Sequence, residues 1–254
     1  MSEVFGIHAV ASVLESAPGR VRVLLVQKTR SDSRVQPLIE LARGAGVRVE
    51  FVDRQRLDKR ASGAHQGVVA DCHDLEPVDE HELEQRWPQM PESRLLLILD
   101  GVLDPRNLGA CLRSAGAAGV DAVLLPRRRS APLNAAALKT AAGAAENLLI
   151  VEVANLARRL KWLQDAGVWI VGAAGEGEEP WSQGQFSGDV AIIVGGEERG
   201  MRALTRKHCD QVVHIPMAGG VESLNVSVAA GVLLFEAVRQ RESARQRLEA
   251  PASG

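Results

Sequence analysis

The chain has 254 residues, 46% apolar and 24% charged, with a formal net charge of −2 at pH 7, enough apolar content for one large core or two small ones. A protein that coats long stretches of nucleic acid carries a strong basic excess, which is missing here, and 3% aromatics with no tyrosine argue against a base-stacking platform. Apolar runs fall far short of the ~20 residues that cross a bilayer, and the N-terminus has no secretory pattern. Cys72, Cys111 and Cys209 form neither CxxC nor Cys/His ligand spacing. A reduced, cytoplasmic protein with no metal centre and no membrane partner is therefore expected.

Taken in chain order, residues 1–75 read as a small α/β unit, with helical patterns at 7–14 and 37–43 and strands at 21–26, 47–52 and 67–72. Basic residues cluster at Arg20, Arg22, Lys28, Arg30 and Arg34, and again at Arg54, Arg56, Lys59 and Arg60. Residues 76–93 are acidic and punctuated by Pro77, Pro88 and Pro91, which reads as a linker with a helical turn or two. From 94 to 243 strands are expected at 95–100, 122–126, 148–153, 168–173, 190–195 and 212–217. Helices fall between them near 107–118, 133–142, 155–166 and 201–208, and a last one runs from about 223 to 241. Near-continuous apolar strands alternating with helices mean a parallel sheet covered on both faces. Residues 244–254 read as a tail, disordered after Leu248.

Three strand-end segments gather glycine with out-of-place polar residues. The first, DPRNLGACLRSAGAAG at 104–119, leads from a strand into a helix. Asn107 there suits a helix N-cap as well as a site, and Arg113 stands among small and apolar neighbours, where an arginine either pairs with a carboxylate or faces a ligand. The second, VGGEERGM at 194–201, is a Gly-Gly turn with carboxylates, which fits an ordinary turn or a ligand loop beyond the carboxyl end of a strand. The third, IPMAGGVESLNVSVAAG at 215–231, carries Ser223 as a plausible N-cap and leaves Asn225 and Ser227 inside an apolar helix. The stretch Gly175–Pro180 faintly matches GxGxxG, but Pro180 replaces the third glycine and three carboxylates crowd it, so a dinucleotide site is not supported.

In this order the three segments resemble the signature motifs of the SpoU (TrmH) family of RNA 2′-O-methyltransferases. Phe5-Gly6-Ile7-His8 and Ala64-His65-Gln66-Gly67 also resemble the N-terminal substrate-binding domain of one subgroup, which methylates a guanosine ribose in the P loop of 23S rRNA. Pattern rules alone lead to an ordinary doubly wound sheet. The resemblance instead implies an α/β SPOUT domain with a deep trefoil knot and a parallel sheet, preceded by a small L30e-like α/β domain that binds RNA. It implies S-adenosyl-L-methionine as methyl donor, held mainly by backbone around Gly172, Ala173, Gly195, Ile215, Met217 and Leu224. It also implies a homodimer through the catalytic domain, whose two subunits jointly build each site.

By the same resemblance Arg113 is the catalytic residue. A guanidinium is effectively always protonated, so it is expected to hold a phosphate and stabilise the developing alkoxide rather than act as a plain base. Glu197 is expected to pair with Arg113, Asn107 and Asn225 to fix the guanidinium or ribose, and Ser223 to cap the loop over the substrate. The competing readings are a tRNA methyltransferase of the same family, a non-catalytic RNA-binding module and a nucleotide-dependent oxidoreductase. The oxidoreductase would need a glycine fingerprint where Asp104-Pro105-Arg106 stands.

Overall fold

The N-terminal unit runs β1 (Ser2–Phe5), α1 (Ile7–Ser16), β2 (Val21–Gln27), α2 (Gln36–Gly44), β3 (Arg48–Val52), α3 (Arg54–Asp58) and β4 (Val68–Cys72). It belongs to a computed structural model of the chain that describes residues 2–28, 34–61, 63–197 and 199–249. Arg30 of the basic cluster, Glu198 of the second motif and the tail from 250 onward lie outside those residues. The sheet order is β1-β4-β2-β3, with β2 and β3 parallel and the other pairs antiparallel. Central β2 is buried on both faces. Leu24 and Val26 pack under α1 and α2, while Val23 and Leu25 meet Leu57 of α3. Strand β1 escapes the sequence reading because it is only four residues long and gains its stability from pairing with β4, far along the chain.

The C-terminal unit follows as α4 (Glu80–Arg86), β5 (Leu95–Asp100), α5 (Pro105–Ala118), β6 (Ala122–Pro126), α6 (Ala135–Ala141), β7 (Leu149–Val153), α7 (Leu156–Asp165) and β8 (Trp169–Ala173). It continues through β9 (Glu179–Pro180), β10 (Val190–Gly195), α8 (Ala203–Arg206), β11 (Gln211–His214) and α9 (Val226–Glu249). Seven strands form one parallel sheet in the order β7-β6-β5-β10-β8-β11-β9. All six residues of β5 are buried, because cores lie on both faces. The chain steps outward from β5 through β6 to β7, then returns to lay β8 and β10 on the other side of β5. The order reverses beside β5, and a crevice lined by Asp100, Gly101 and Gly196 opens there beyond the carboxyl ends of β5 and β10.

Helix α5 buries Leu108, Cys111, Leu112 and Ala115, a stripe at helical spacing. A Cβ on Gly109 would come within 2.2 Å of the Ala137 carbonyl oxygen, so only glycine lets α5 sit this close to α6. Beyond α6, a 3₁₀ turn at Ala144–Asn147 receives the N-terminal unit. Glu146 pairs with Arg20, and the Asn147 amide donates to Ser12 Oγ at 3.1 Å.

The structure revises several element readings. Residues 76–93 pack along the C-terminal unit. Leu83 is fully buried, Val78 bridges Val151, and Trp87 meets Trp162 edge-on at 5.1 Å. The carboxylates of Glu80 and Glu84 reach buried Arg159 at 3.1 and 2.7 Å, so part of that acidic run neutralises an interior cation. Helix α5 starts at Pro105, with Asp104 accepting from Arg106 N at 2.9 Å, so Asn107 is not its N-cap. Helix α9 starts at Val226, not near Ser223, and runs to Glu249 through a stretch rich in Arg, Gln, Glu and Ala, all good helix formers except one serine.

Candidate active site

A cavity of about 350 Å³ opens where β8, β10 and β11 end. Ala173, Gly195, Ile215, Met217 and Leu224 line it, as do Glu197 and Ser223. Gly172 does not. It is buried against Met201 and Cys209, where a Cβ would meet both sulfur-bearing side chains. The lining is apolar apart from Glu197, Glu222 and Ser223, so most polar recognition falls to backbone groups. Several lining residues escaped the sequence reading. Glu222 lies within the third motif, Ala174 directly follows β8, and Gly175 begins the stretch set aside as a poor dinucleotide fingerprint. For Ala174 and Gly175 the signal was position, directly after a strand of the sheet.

The loop after β10 is pinned against the loop after β5. Gly196 N donates to the Asp100 carbonyl at 3.0 Å, and a Cβ at 196 would lie 2.0 Å from the Gly101 oxygen. Arg202 closes the same loop on the buried Asp100 carboxylate, to which its backbone N also donates at 3.0 Å.

At the edge of this cavity three residues from the three motifs converge. Glu197 Oε1 accepts from Asn107 Nδ2 and from Asn225 Nδ2, each at 2.8 Å, and Asn225 Nδ2 also reaches Asn107 Oδ1 at 3.1 Å. Asn225 therefore works at both ends. Its Oδ1 accepts from Ser227 N at 2.9 Å and caps α9, while its amide nitrogen serves Glu197. An aspartate could do the first and not the second.

Arg113 stands apart. The expected pairing with Glu197, whose Oε1 accepts from two asparagines, is not made. Arg113 is exposed and has no hydrogen bond or ion pair among the described residues. The cause is helical geometry, since six residues turn a side chain's direction by about 240°. Ser223 is exposed and caps no helix. Burial pushes the Cys111 thiol, on the inner face of α5, up to about 12, with Glu197 adding to the effect.

The fold and this constellation define a class. Residues 94–235 match the SpoU rRNA Methylase family and residues 4–78 the RNA 2′-O ribose methyltransferase substrate-binding domain. The chain belongs to the SpoU rRNA methylase family. It is 50% identical over 243 residues to the 23S rRNA (guanosine-2′-O-)-methyltransferase RlmB of Escherichia coli K12, covering 95% of this chain and 100% of that one. The RlmB protein of Yersinia pestis is 52% identical, covering 95% and 98%. Among solved structures, the SpoU methyltransferase AviRb from Streptomyces viridochromogenes in complex with the cofactor AdoMet matches with a TM-score of 0.76 at 25% identity, covering 95% and 90%.

Proposed function

We propose that this chain transfers the methyl group of S-adenosyl-L-methionine to the 2′-hydroxyl of a guanosine in 23S rRNA, with the P loop of the peptidyl transferase centre as its target. The observation that carries this reading is the junction of the three motifs, Asn107, Glu197 and Asn225, at the edge of the strand-end cavity. Near-complete mutual coverage with relatives named for 23S rRNA favours rRNA over tRNA. A cytoplasmic setting goes with that substrate.

The cavity suits the donor. Its volume falls in the range of small-ligand sites, its apolar walls accept a nucleoside, and Glu197 and Glu222 offer negative charge to a cation. Gly195 and Gly196 let the backbone of Gly200 and Gly101 pack close against them and so shape the cavity wall. When bound, the donor supplies an activated sulfonium methyl, and the protein's task is then to orient the hydroxyl and take its proton. The amides of Asn107 and Asn225, locked by Glu197, orient the ribose. Arg113 holds the nucleotide's phosphate and stabilises the alkoxide as it forms, and the phosphate oxygen accepts the proton. Ser223 and its loop close over the nucleotide.

We assign Arg113 to the site of a second copy, in a homodimer formed through the catalytic domain. Arg113 does not face its own triad, and on neighbouring α9 the apolar Val228 and Phe235 are about half exposed (50% and 52%). We also read the loops after β10 and β11 as the crossings of a trefoil knot, a reading supported by the pinning of Gly196 and Arg202 on the turn after β5.

The test is incubation of the purified chain with radiolabelled donor and 23S rRNA from cells lacking the protein, followed by mapping of 2′-O-methyl sites. One new methylguanosine in the P loop is expected. Methylation of tRNA alone would move the substrate, and failure to bind donor in calorimetry would leave only an RNA-binding module.

A further inference from the structure

A second cavity, of about 640 Å³, adjoins the donor cavity and shares Gly196, Glu197 and Gly200 with it as a wall. Its charged lining includes Asp100, Asp104, Arg129, Arg199 and Arg202, with Leu103 as an apolar lip. The acidic groups are engaged. Asp100 is buried and ion-paired with Arg202, Asp104 caps α5, and Glu197 holds the two asparagines. Arg129 and Arg199 are exposed, and neither has an ion pair or hydrogen bond among the described residues. Counting Glu197, the described lining holds three carboxylates and three guanidiniums, and of the three cations Arg129 and Arg199 are left without a partner among the described residues and so open to an anion.

The loop bearing Arg129 is specially shaped. Arg129 adopts a left-handed φ of 62°, uncommon for a residue with a side chain. The loop is tied to the turn after β5 by Ala131 N donating to the Val102 carbonyl at 2.7 Å. Leu103 is 58% exposed, offering apolar surface on which a base can lie. Two free guanidiniums beside an apolar lip match the chemistry of a nucleotide, with phosphate for the forks and a base for the lip.

We infer that this cavity binds the RNA nucleotide next to the one that is methylated, with Arg129 and Arg199 on its phosphates and Leu103 under its base. The inference rests on the methyltransferase reading, because the shared loop is what sets this nucleotide beside the reacting one. Interactions made equally in ground and transition states appear in KM and not in kcat.

The test uses the full chain, an rRNA fragment containing the target, and the double variant Arg129→Ala/Arg199→Ala. The KM for RNA should rise about tenfold with kcat held, and the slope of log affinity against log salt should fall by about 0.7–0.9 for each phosphate no longer neutralised. Donor affinity by calorimetry should not change, which also reports an intact fold. Should the double variant lose donor binding, the two single variants, each with part of the loss, replace it. Unchanged KM and salt slope, or a fall in kcat alone, overturns the inference. Wild-type chain that methylates no RNA defeats the functional reading instead, so the two failures are distinguishable.

Discussion

Asn107 and Glu197, 90 residues apart in the chain, meet side chain to side chain at 2.8 Å, and Asn225 completes the contact from the start of α9. Each asparagine must donate to the same carboxylate oxygen. Asn225→Asp keeps the cap on α9 and replaces the donated bond with a like charge. Methyl transfer should fall at least about tenfold, since one charge-assisted hydrogen bond is worth about 1.5–3 kcal/mol. The unfolding free energy should fall by at most that same bond, about 1.5–3 kcal/mol, because the cap on α9 is kept. Steady-state rates and urea melts of one preparation read both, and an active variant would remove the triad from the mechanism.

Arg113→Ala should abolish transfer while donor affinity, read by calorimetry, stays near wild type. If Arg113 serves the partner subunit's site, an Arg113→Ala chain mixed with a Glu197→Ala chain should recover part of the activity that neither has alone. No recovery after subunit exchange, checked by light scattering, would return Arg113 to its own site.

Arg159 has a side chain only 4% exposed, held by Glu80 and Glu84 and lying 4.7 Å from the ring centre of Trp162. Removing one partner of a buried pair costs about 3–5 kcal/mol. Glu84 is partly solvated, so Arg159→Met should lose stability at the lower end of that range. Urea unfolding measures it. A loss under about 1 kcal/mol would mean that residues 76–93 are not fixed to the C-terminal unit by this pair.

The cysteines predict an alkaline limit. Burial pushes Cys111 and Cys209 up to about 12 and Cys72 to about 11, against 9.0 for an unperturbed thiol. The folded chain therefore holds protons that the unfolded chain has released. Stability is complete below pH 9 and declines as pH rises toward 12. The urea midpoint should drop between pH 8 and pH 10, and less so in a Cys111→Ala variant. An unchanged midpoint would show that the thiols ionise freely in the fold.

Much of the C-terminal unit could be read in one dimension, for a physical reason. Strands such as β5 and β10 are buried on both faces and so are apolar throughout, and α5 carries its core stripe at helical spacing. Residues that satisfy polar groups across the fold were harder to place. Ser223 and Asn225 are both good caps on paper, and the choice between them depends on where Glu197 sits. Glu84 looked like part of a solvated linker because its partner, Arg159, lies 75 residues further on. Arg113 looked like a partner for Glu197 until the turn of α5 took it elsewhere.

The sequence by itself determined the alternation of strands and helices, the glycines at the strand ends and the three motifs with their residue types, because local sterics and apolar periodicity act over a few residues. Only the tertiary structure decided that Glu197 is shared by Asn107 and Asn225, that Gly172 is packing and not lining, and that Arg129 and Arg199 face one cavity. Those outcomes depend on which strand lies beside which. Strand order in a parallel sheet is set by burying whole faces together, a condition on the entire chain and not on any one segment of it.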